Sequence, residues 1–197
     1  MNRLYEMFAG LLEYPEADWG VRLEMCSQRL RIESPELAPH FAEFSRKIAD
    51  VPVAQLQERY TQTFDLNPVC TLDIGYHQFG ENYKRGELLA GLRETEAPYE
   101  LGQQHQLPDY LPVLLRLLVK LEDTELRSAL IAECMIPALD KMIEALSQTE
   151  NPYRDLVEVI NRALKLDESE RSASCQLAPR FDDMPEPYRI SSRAVAR

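Results

Sequence analysis

Apolar residues recur every three or four positions along most of the chain, which is the spacing that places them on one face of an α-helix. The first stripe consists of Leu4, Met7, Phe8, Leu11 and Leu12. It ends before Pro15, because proline disfavours helix at the residue that precedes it. Proline is well suited to the first position of a helix, so we predict a second helix from Pro15 to about Arg31.

Two further helices follow in the first third of the chain. Ser34 and Pro35 form a cap and first-turn pair that predicts the start of a third helix. Its inward face would carry Leu37, Phe41, Phe44 and Ile48. Pro52 separates it from a fourth helix, with Val53, Leu56, Tyr60 and Phe64 on one side. This part of the chain therefore indicates a helical bundle.

The stretch from Asp65 to Gly91 differs in composition. It holds four of the seven glycines, Gly75, Gly80, Gly86 and Gly91. Since glycine in a helix costs about 1 kcal/mol relative to alanine, the cluster predicts turns or a close approach of another backbone. Ordinary loops between two helices would explain it equally well.

The most apolar segment begins after Leu107-Pro108-Asp109. We predict Asp109 as its N-cap and Pro112 in its first turn, where a missing N–H costs little. Its apolar residues cover most of the helix circumference, which predicts a central, buried helix. They are Leu111, Leu114, Leu115, Leu117, Leu118 and Leu121.

Two helices complete the predicted bundle. One runs from about Thr124 to Leu146 with a bend at Pro137. The other runs from Pro152 to Leu166, with Leu156, Val159, Ile160 and Ala163 inward. No alternating pattern is long enough to predict a strand. The sequence therefore predicts an all-α, single-domain helical bundle.

The composition changes at Glu168. Residues 168–197 carry five serines, three prolines, five acidic and five basic side chains without a helical period. We predict a helical domain over 1–167 and a flexible, disordered tail over 168–197. The alternative is that Phe181 and Tyr188 pack into a groove of the domain.

The formal net charge of −11 argues against a nucleic-acid-binding protein, because phosphates require a basic surface. A cationic partner fits this charge, although acidity also serves solubility alone. No apolar run is long enough to span a bilayer and no signal peptide is evident, so we expect a cytoplasmic protein without membrane insertion. The four cysteines form no disulfide framework, and we expect reduced thiols.

Common catalytic motifs are absent from the sequence. It contains no zinc-protease, serine-hydrolase, phosphate-loop or dinucleotide-binding pattern. Asp73 and His77 have the spacing of a metal-ligand pair, but two ligands do not make a site. Cys70 would be reactive only beside a histidine, and a small buried residue is the simpler interpretation. We therefore expect no enzyme, no metal and no bound cofactor.

Several separated motifs, in one order, resemble the nitrate reductase delta-subunit family, called NarJ. The resemblance covers about residues 4 to 165 and is carried by Leu11-Leu12-Glu13-Tyr14-Pro15, Tyr60 to Pro68, Gly75 to Gly86, Leu107 to Leu115, Ile136-Pro137-Ala138-Leu139 with Lys141, and Asn151-Pro152-Tyr153.

This resemblance implies an all-helical assembly chaperone for a molybdenum enzyme, of the NarJ type and more distantly related to the TorD group. Such proteins bind the N-terminal segment of the apo catalytic subunit until molybdopterin cofactor and an iron–sulfur cluster are inserted. Nitrate reductase is the expected client, and the chaperone is expected to be a monomer or weak dimer. The Pro-Asp-His element of the wider group falls on Pro108, Asp109 and Tyr110, so the histidine is replaced here.

Together, the residues and the resemblance predict a client-peptide groove that accepts a basic, apolar helix. Its predicted residues are Tyr76, His77, Phe79, Gly80, Arg85, Gly86, Pro108, Asp109 and Tyr110. Simpler roles remain open: Asp109 as a cap, Arg85 as a carboxylate partner, and Tyr76 and Phe79 as core. A protein that itself binds molybdopterin or a guanine nucleotide is the alternative function. An enzyme that uses Asp73, His77 and Cys70 is a third.

Overall fold

The computed structural model describes residues 1–102 and 105–174, and most of these residues are helical. The α-helices are α1 Asn2–Leu11, α2 Trp19–Glu33, α3 Ala38–Ile48, α4 Val53–Tyr60, α5 Ile74–Phe79, α6 Tyr83–Glu96, α7 Leu111–Lys120, α8 Thr124–Ala129, α9 Ile136–Leu146 and α10 Tyr153–Ser174. A π-helical turn follows α4 at Thr61–Asp65, and another joins α8 to α9 at Leu130–Met135. Neither described range contains a strand, so the predicted all-α fold is confirmed.

The core lies where the apolar stripes meet. Helix α1 packs against α7 and α2, and α10 packs against α9 and α3. The predicted inward faces of α3 and α10 are buried, as is most of α7. None of the helices described is long and apolar enough to cross a membrane.

Two predicted helix starts are wrong. Helix α2 begins at Trp19 rather than at Pro15, because the loop at Pro15 is held by a hydrogen bond from Gln57 Nε2 to its carbonyl oxygen at 2.8 Å. Helix α3 begins at Ala38 rather than at Pro35. Pro39 has no N–H to donate to a carbonyl four residues earlier, so a helix that started at Pro35 would lack this bond.

A π-helical turn just before Pro137 interrupts the helix predicted over Thr124 to Leu146. The π-helical turn Leu130–Met135 directly precedes α9, whose first turn contains Pro137. Proline cannot donate to the carbonyl of Glu133, four residues earlier. The side chain of Gln78 supplies donors instead, with Nε2 at 3.2 Å from Glu133 O and 3.3 Å from Cys134 O. Helix α5 is thereby attached to this segment.

Helix α10 ends at Ser174 instead of the predicted Leu166. Near its end, Asp167 accepts hydrogen bonds from Tyr5 Oη at 2.9 Å and from the buried Arg127. This polar cluster fixes the last turns of α10 against α1 and α8. The predicted tail thus begins with helical residues, and its remainder, 175–197, lies outside the described residues.

Candidate functional site

An arginine and two aspartates connect α5, α6 and the start of α7. Arg85 Nε donates to Asp109 Oδ2 at 2.8 Å, and Arg85 Nη2 reaches Asp109 Oδ1 at 3.2 Å and Asp73 Oδ2 at 3.0 Å. The Asp109 side chain is fully buried, whereas that of Asp73 is 31% exposed. Paired N–H groups of a guanidinium match the two oxygens of a carboxylate, so the Arg85–Asp109 contact is directional as well as charged.

The prediction that Asp109 is an N-cap is wrong. Tyr110 occupies the N-cap of α7 and makes no side-chain cap hydrogen bond. The N–H of Leu111 donates to Leu72 O at 2.8 Å, and Pro112 has no N–H. The donors that a capping carboxylate at Asp109 would use are therefore occupied or absent.

Backbone hydrogen bonds hold the start of α5 against the start of α7. Ile74 N donates to Asp109 O at 2.9 Å, which complements the bond from Leu111 N to Leu72 O. Asp73 and Tyr110 consequently form an isolated antiparallel bridge. Gly75 follows directly, and its missing side chain allows the Asp109 carboxylate to approach. The group that approaches Gly75 is thus a side-chain carboxylate and not the predicted second backbone.

The other predicted site residues lie on α5 and α6, at the end of α5, and in the turn before α7. Tyr76 faces Arg85, whose guanidinium carbon is 5.7 Å from the ring centroid. Phe79 is partly buried against the core. Gly80 ends α5 with a φ of 57°, a conformation that favours glycine. Gly86 is exposed on α6, and Pro108 is buried beside Asp109.

Burial shifts the pKa values of His77 and Asp109. Burial lowers the pKa of His77, while its hydrogen bond to Thr71 O, at 2.7 Å, acts in the opposite direction. Lys141 donates to the carbonyl of His77 at 2.6 Å. Burial raises the pKa of the Asp109 carboxyl, and the hydrogen bonds from Arg85 offset this only in part.

Tyr110 connects this cluster to an open cleft of about 580 Å³. Its hydroxyl lies 2.9 Å from that of Tyr60, and Tyr60 Oη donates to Leu12 O at 3.0 Å. The cleft is lined by Glu13, Tyr14, Glu16, Arg22, Tyr60, Asp65, Gly102, Gln106, Tyr110, Val113 and Arg116. Of the predicted site residues, Tyr110 alone belongs to this lining.

Charged side chains in the cleft are unequally paired. Glu13 accepts from Arg116 at 2.5 Å and lies 3.3 Å from Arg22, so it holds two arginines of the cleft. In the parts of the chain that the structure describes, Glu16 and Asp65 have no ion-pair partner within 4.0 Å. The cleft therefore presents two carboxylates to a cationic ligand.

The cleft also exposes apolar surface. Tyr14, in its lining, is 49% exposed and packs edge-on against Tyr60 at 5.6 Å between centroids. Leu66 and Leu107 do not line the cleft, but each is exposed and adjoins a lining residue in the sequence, Asp65 or Gln106. A mixed apolar and acidic surface of this kind fits a helix that carries apolar and basic residues.

Residues with catalytic potential are engaged in structural contacts. Asp73 pairs with Arg85, and His77 bonds to Thr71 O. The two residues with metal-ligand spacing are thus each bound to a protein group. Within 1–102 and 105–174, no three His, Cys, Asp or Glu side chains form a metal-binding group. Cys70 is buried, and burial raises the pKa of its thiol. Its interpretation as a small buried residue is confirmed.

Sequence reasoning missed most of the cleft. Glu13 and Arg116 come from distant parts of the chain, and no local pattern predicts their pairing. Glu13, Tyr14 and Asp65 do fall within motifs that carry the family resemblance. That resemblance was the signal that could have found them.

Comparison with known proteins finds similar curated proteins over most of the chain. No family model matches the chain. It is 27% identical over 157 residues to the probable nitrate reductase molybdenum cofactor assembly chaperone NarJ of Bacillus subtilis (strain 168), covering 79% of this chain and 84% of that protein. Similar identities relate it to two proteins of Escherichia coli (strain K12).

These are the probable nitrate reductase molybdenum cofactor assembly chaperone NarW, 27% identical over 154 residues, and the nitrate reductase molybdenum cofactor assembly chaperone NarJ, 28% identical over 157 residues. Each match covers 76% of this chain but only 63% of NarW and 64% of NarJ. The resemblance identified in the sequence is confirmed: the chain is a relative of the NarJ and NarW nitrate reductase molybdenum cofactor assembly chaperones.

Proposed function

We propose that this protein is an assembly chaperone for a molybdenum oxidoreductase, with respiratory nitrate reductase as its client. It binds the N-terminal segment of the apo catalytic subunit and holds it until molybdopterin cofactor and an iron–sulfur cluster are inserted. The names of the relatives support the class of protein. The single observation that carries the peptide-binding role is the open cleft with its acidic and apolar lining.

In this proposal the client segment lies in the cleft as a helix. Asp65 and Glu16 contact basic side chains of the client, and Tyr14 packs against an apolar one. Carboxylates attract a cationic helix and set its orientation, while burial of apolar surface supplies affinity. Glu13 keeps its two arginines and shapes the cleft.

The α5–α6 surface predicted from the sequence is a second proposed contact. Tyr76, Phe79 and the exposed Gly86 lie on it, and Tyr110 links it to the cleft. Arg85 and Asp109 support the surface from within, because Asp109 is fully buried beneath Arg85. The client would then run from the cleft towards α5.

We further propose that the protein acts without turnover, in the cytoplasm, as a monomer or weak dimer. Client binding and release require no chemical step, and the side chains with catalytic potential at the site are already hydrogen-bonded or ion-paired. The alternative, direct delivery of molybdopterin or a guanine nucleotide, is disfavoured by the cleft. Its free carboxylates, Glu16 and Asp65, would repel a phosphate.

Isothermal titration calorimetry tests the proposal with a synthetic peptide of about the first 20 residues of the host's nitrate reductase catalytic subunit. We expect the peptide to bind the full chain, and Asp65→Asn or Tyr14→Ala to weaken binding about tenfold, the scale of one charged or aromatic contact. Asp50→Asn, an exposed change in the turn that precedes α4, is the matched control. Binding of GTP in place of the peptide would contradict the proposal.

A further inference from the structure

The sequence beyond the described residues separates its charges. Residues 175–188 carry one basic and three acidic side chains, whereas 189–197 carry three arginines and no acidic residue. Arg189, Arg193 and Arg197 are spaced four apart, with Ile190 and Val195 among them. A helix would bring the three arginines to one face. The segment 189–197 thus combines the basic and apolar groups that the cleft fits.

The cleft is complementary to this segment in charge. Glu16 and Asp65 line it without ion-pair partners among the residues described, while its own arginines are held by carboxylates. Tyr14 offers an exposed aromatic surface beside them. The charges of residues 168–197 cancel, so residues 1–167 carry the whole net charge of −11. They attract a segment with three positive charges over a Debye length of about 10 Å.

The chain is long enough to bring this segment to the cleft. Helix α10 lies beside α1 at Asp167, which accepts a hydrogen bond from Tyr5. Glu13 follows the other end of α1, roughly 12 Å along the helix from Tyr5 at 1.5 Å per residue. Helix α10 continues about 10 Å beyond Asp167. The residues 175–188 can span about 46 Å when extended, which exceeds this separation.

We propose that residues 189–197 occupy the cleft intramolecularly when no client is bound and so act as a pseudo-client. The inference rests on the proposed function only in assigning the client to the same cleft. A client segment must displace the chain's own segment before it binds. The empty chaperone is thereby protected from other basic peptides, and its apolar surface is covered.

Because residues 175–188 link the segment 189–197 to the helical domain, they set how strongly it competes with a client for the cleft. A segment linked to its binding site by a short stretch of chain has an effective concentration near the millimolar range. If it fills the cleft about nine-tenths of the time, the apparent dissociation constant of a client peptide rises about tenfold. Replacing the three arginines by glutamine should remove this factor.

Site-directed photo-crosslinking in the full chain detects the contact itself. p-Benzoylphenylalanine replaces Val195, and mass spectrometry of the irradiated protein locates the attachment. We expect monomeric cross-links to peptides that contain Tyr14 or Asp65. The variants Asp65→Lys and Glu16→Lys should each reduce them at least fivefold, whereas the matched control Asp50→Lys should leave them unchanged. Unchanged melting temperatures show that the variants fold.

Cross-links away from the cleft, or only between two copies, would overturn the inference. The client peptide supplies a second test, by calorimetry on the wild type and on the Arg189→Gln/Arg193→Gln/Arg197→Gln variant. We expect about tenfold tighter binding to the variant. Equal binding to both proteins would contradict the pseudo-client and leave the proposed function intact. If cross-links to the cleft form but the peptide binds neither protein, the result would support occupation of the cleft by residues 189–197 and contradict the proposed function.

Discussion

Gly75 and Asp109 are packed so closely that a Cβ atom on Gly75 would stand 2.7 Å from Asp109 Oδ2. The same Cβ atom would lie 3.0 Å from Leu88 Cδ2. The carboxylate cannot move away without loss, because both of its oxygens bind Arg85. The absent side chain is therefore a requirement of the ion pair that joins α5, α6 and α7.

Gly75→Ala is expected to destabilise the fold by about 1–3 kcal/mol, the usual cost of overpacking a filled site. Gly86→Ala is the matched control, since nothing lies within 4 Å of its Cβ position. On the exposed face of α6 it should stabilise by about 0.5–1 kcal/mol. Urea unfolding of both variants gives the two values, and a neutral Gly75→Ala would show that Asp109 has room to shift.

Arg85→Leu is expected to cost about 3 kcal/mol, because it leaves the buried Asp109 carboxylate without its main partner. The same change should cost less in an Asp109→Asn background, where no charge is left uncompensated. A double-mutant cycle by chemical denaturation measures this difference, expected at about 1–3 kcal/mol. Additive effects would mean that the pair contributes no mutual stabilisation.

Helix faces were predictable from the sequence because burial follows a period. Phe41, Phe44 and Ile48 recur at three and four, and all are buried as this spacing requires. Helix starts were less predictable, as Trp19 shows. The preceding loop is held by a hydrogen bond from Gln57, which is distant in the chain, and local helix propensity cannot predict such a contact.

The polar contacts of the site could not be predicted in the same way. The local sequence predicts Asp109 as a helix cap, whereas in the structure Tyr110 holds that position and Asp109 pairs with Arg85 on another helix. Glu13 likewise meets Arg116 across the bundle. Ion pairs between helices have no periodicity, so the sequence identifies their members only as polar residues near helix ends.

His77 makes the free energy of unfolding depend on pH. Because burial lowers its pKa in the folded protein, the unfolded chain binds the proton at a higher pH. The stability that neutral, buried His77 contributes to the fold is therefore fully present above the ordinary histidine pKa of about 6.5. It is lost as the pH falls below that value. Urea unfolding between pH 7.5 and 5 should show the loss in the wild type and a flatter profile in His77→Gln. Parallel profiles would exclude His77 as the cause.

Binding of the client peptide is expected to weaken as salt rises, since the cleft attracts it partly through Glu16 and Asp65. Raising ionic strength from about 0.05 to 0.5 M should reduce affinity severalfold in the wild type and less in Asp65→Asn. Calorimetric titrations at the two salt concentrations provide the comparison. Equal affinities at both would leave apolar contacts as the only basis for binding.

The most direct test of the central claim is the molybdenum content of nitrate reductase purified from the native host with and without this protein. Elemental analysis should show that enzyme from the deletion strain has lost most of its molybdenum, and that the full chain restores it. Asp65→Lys should fail to restore it, whereas Asp50→Lys should succeed. Enzyme from the deletion strain with a full complement of molybdenum would contradict the account.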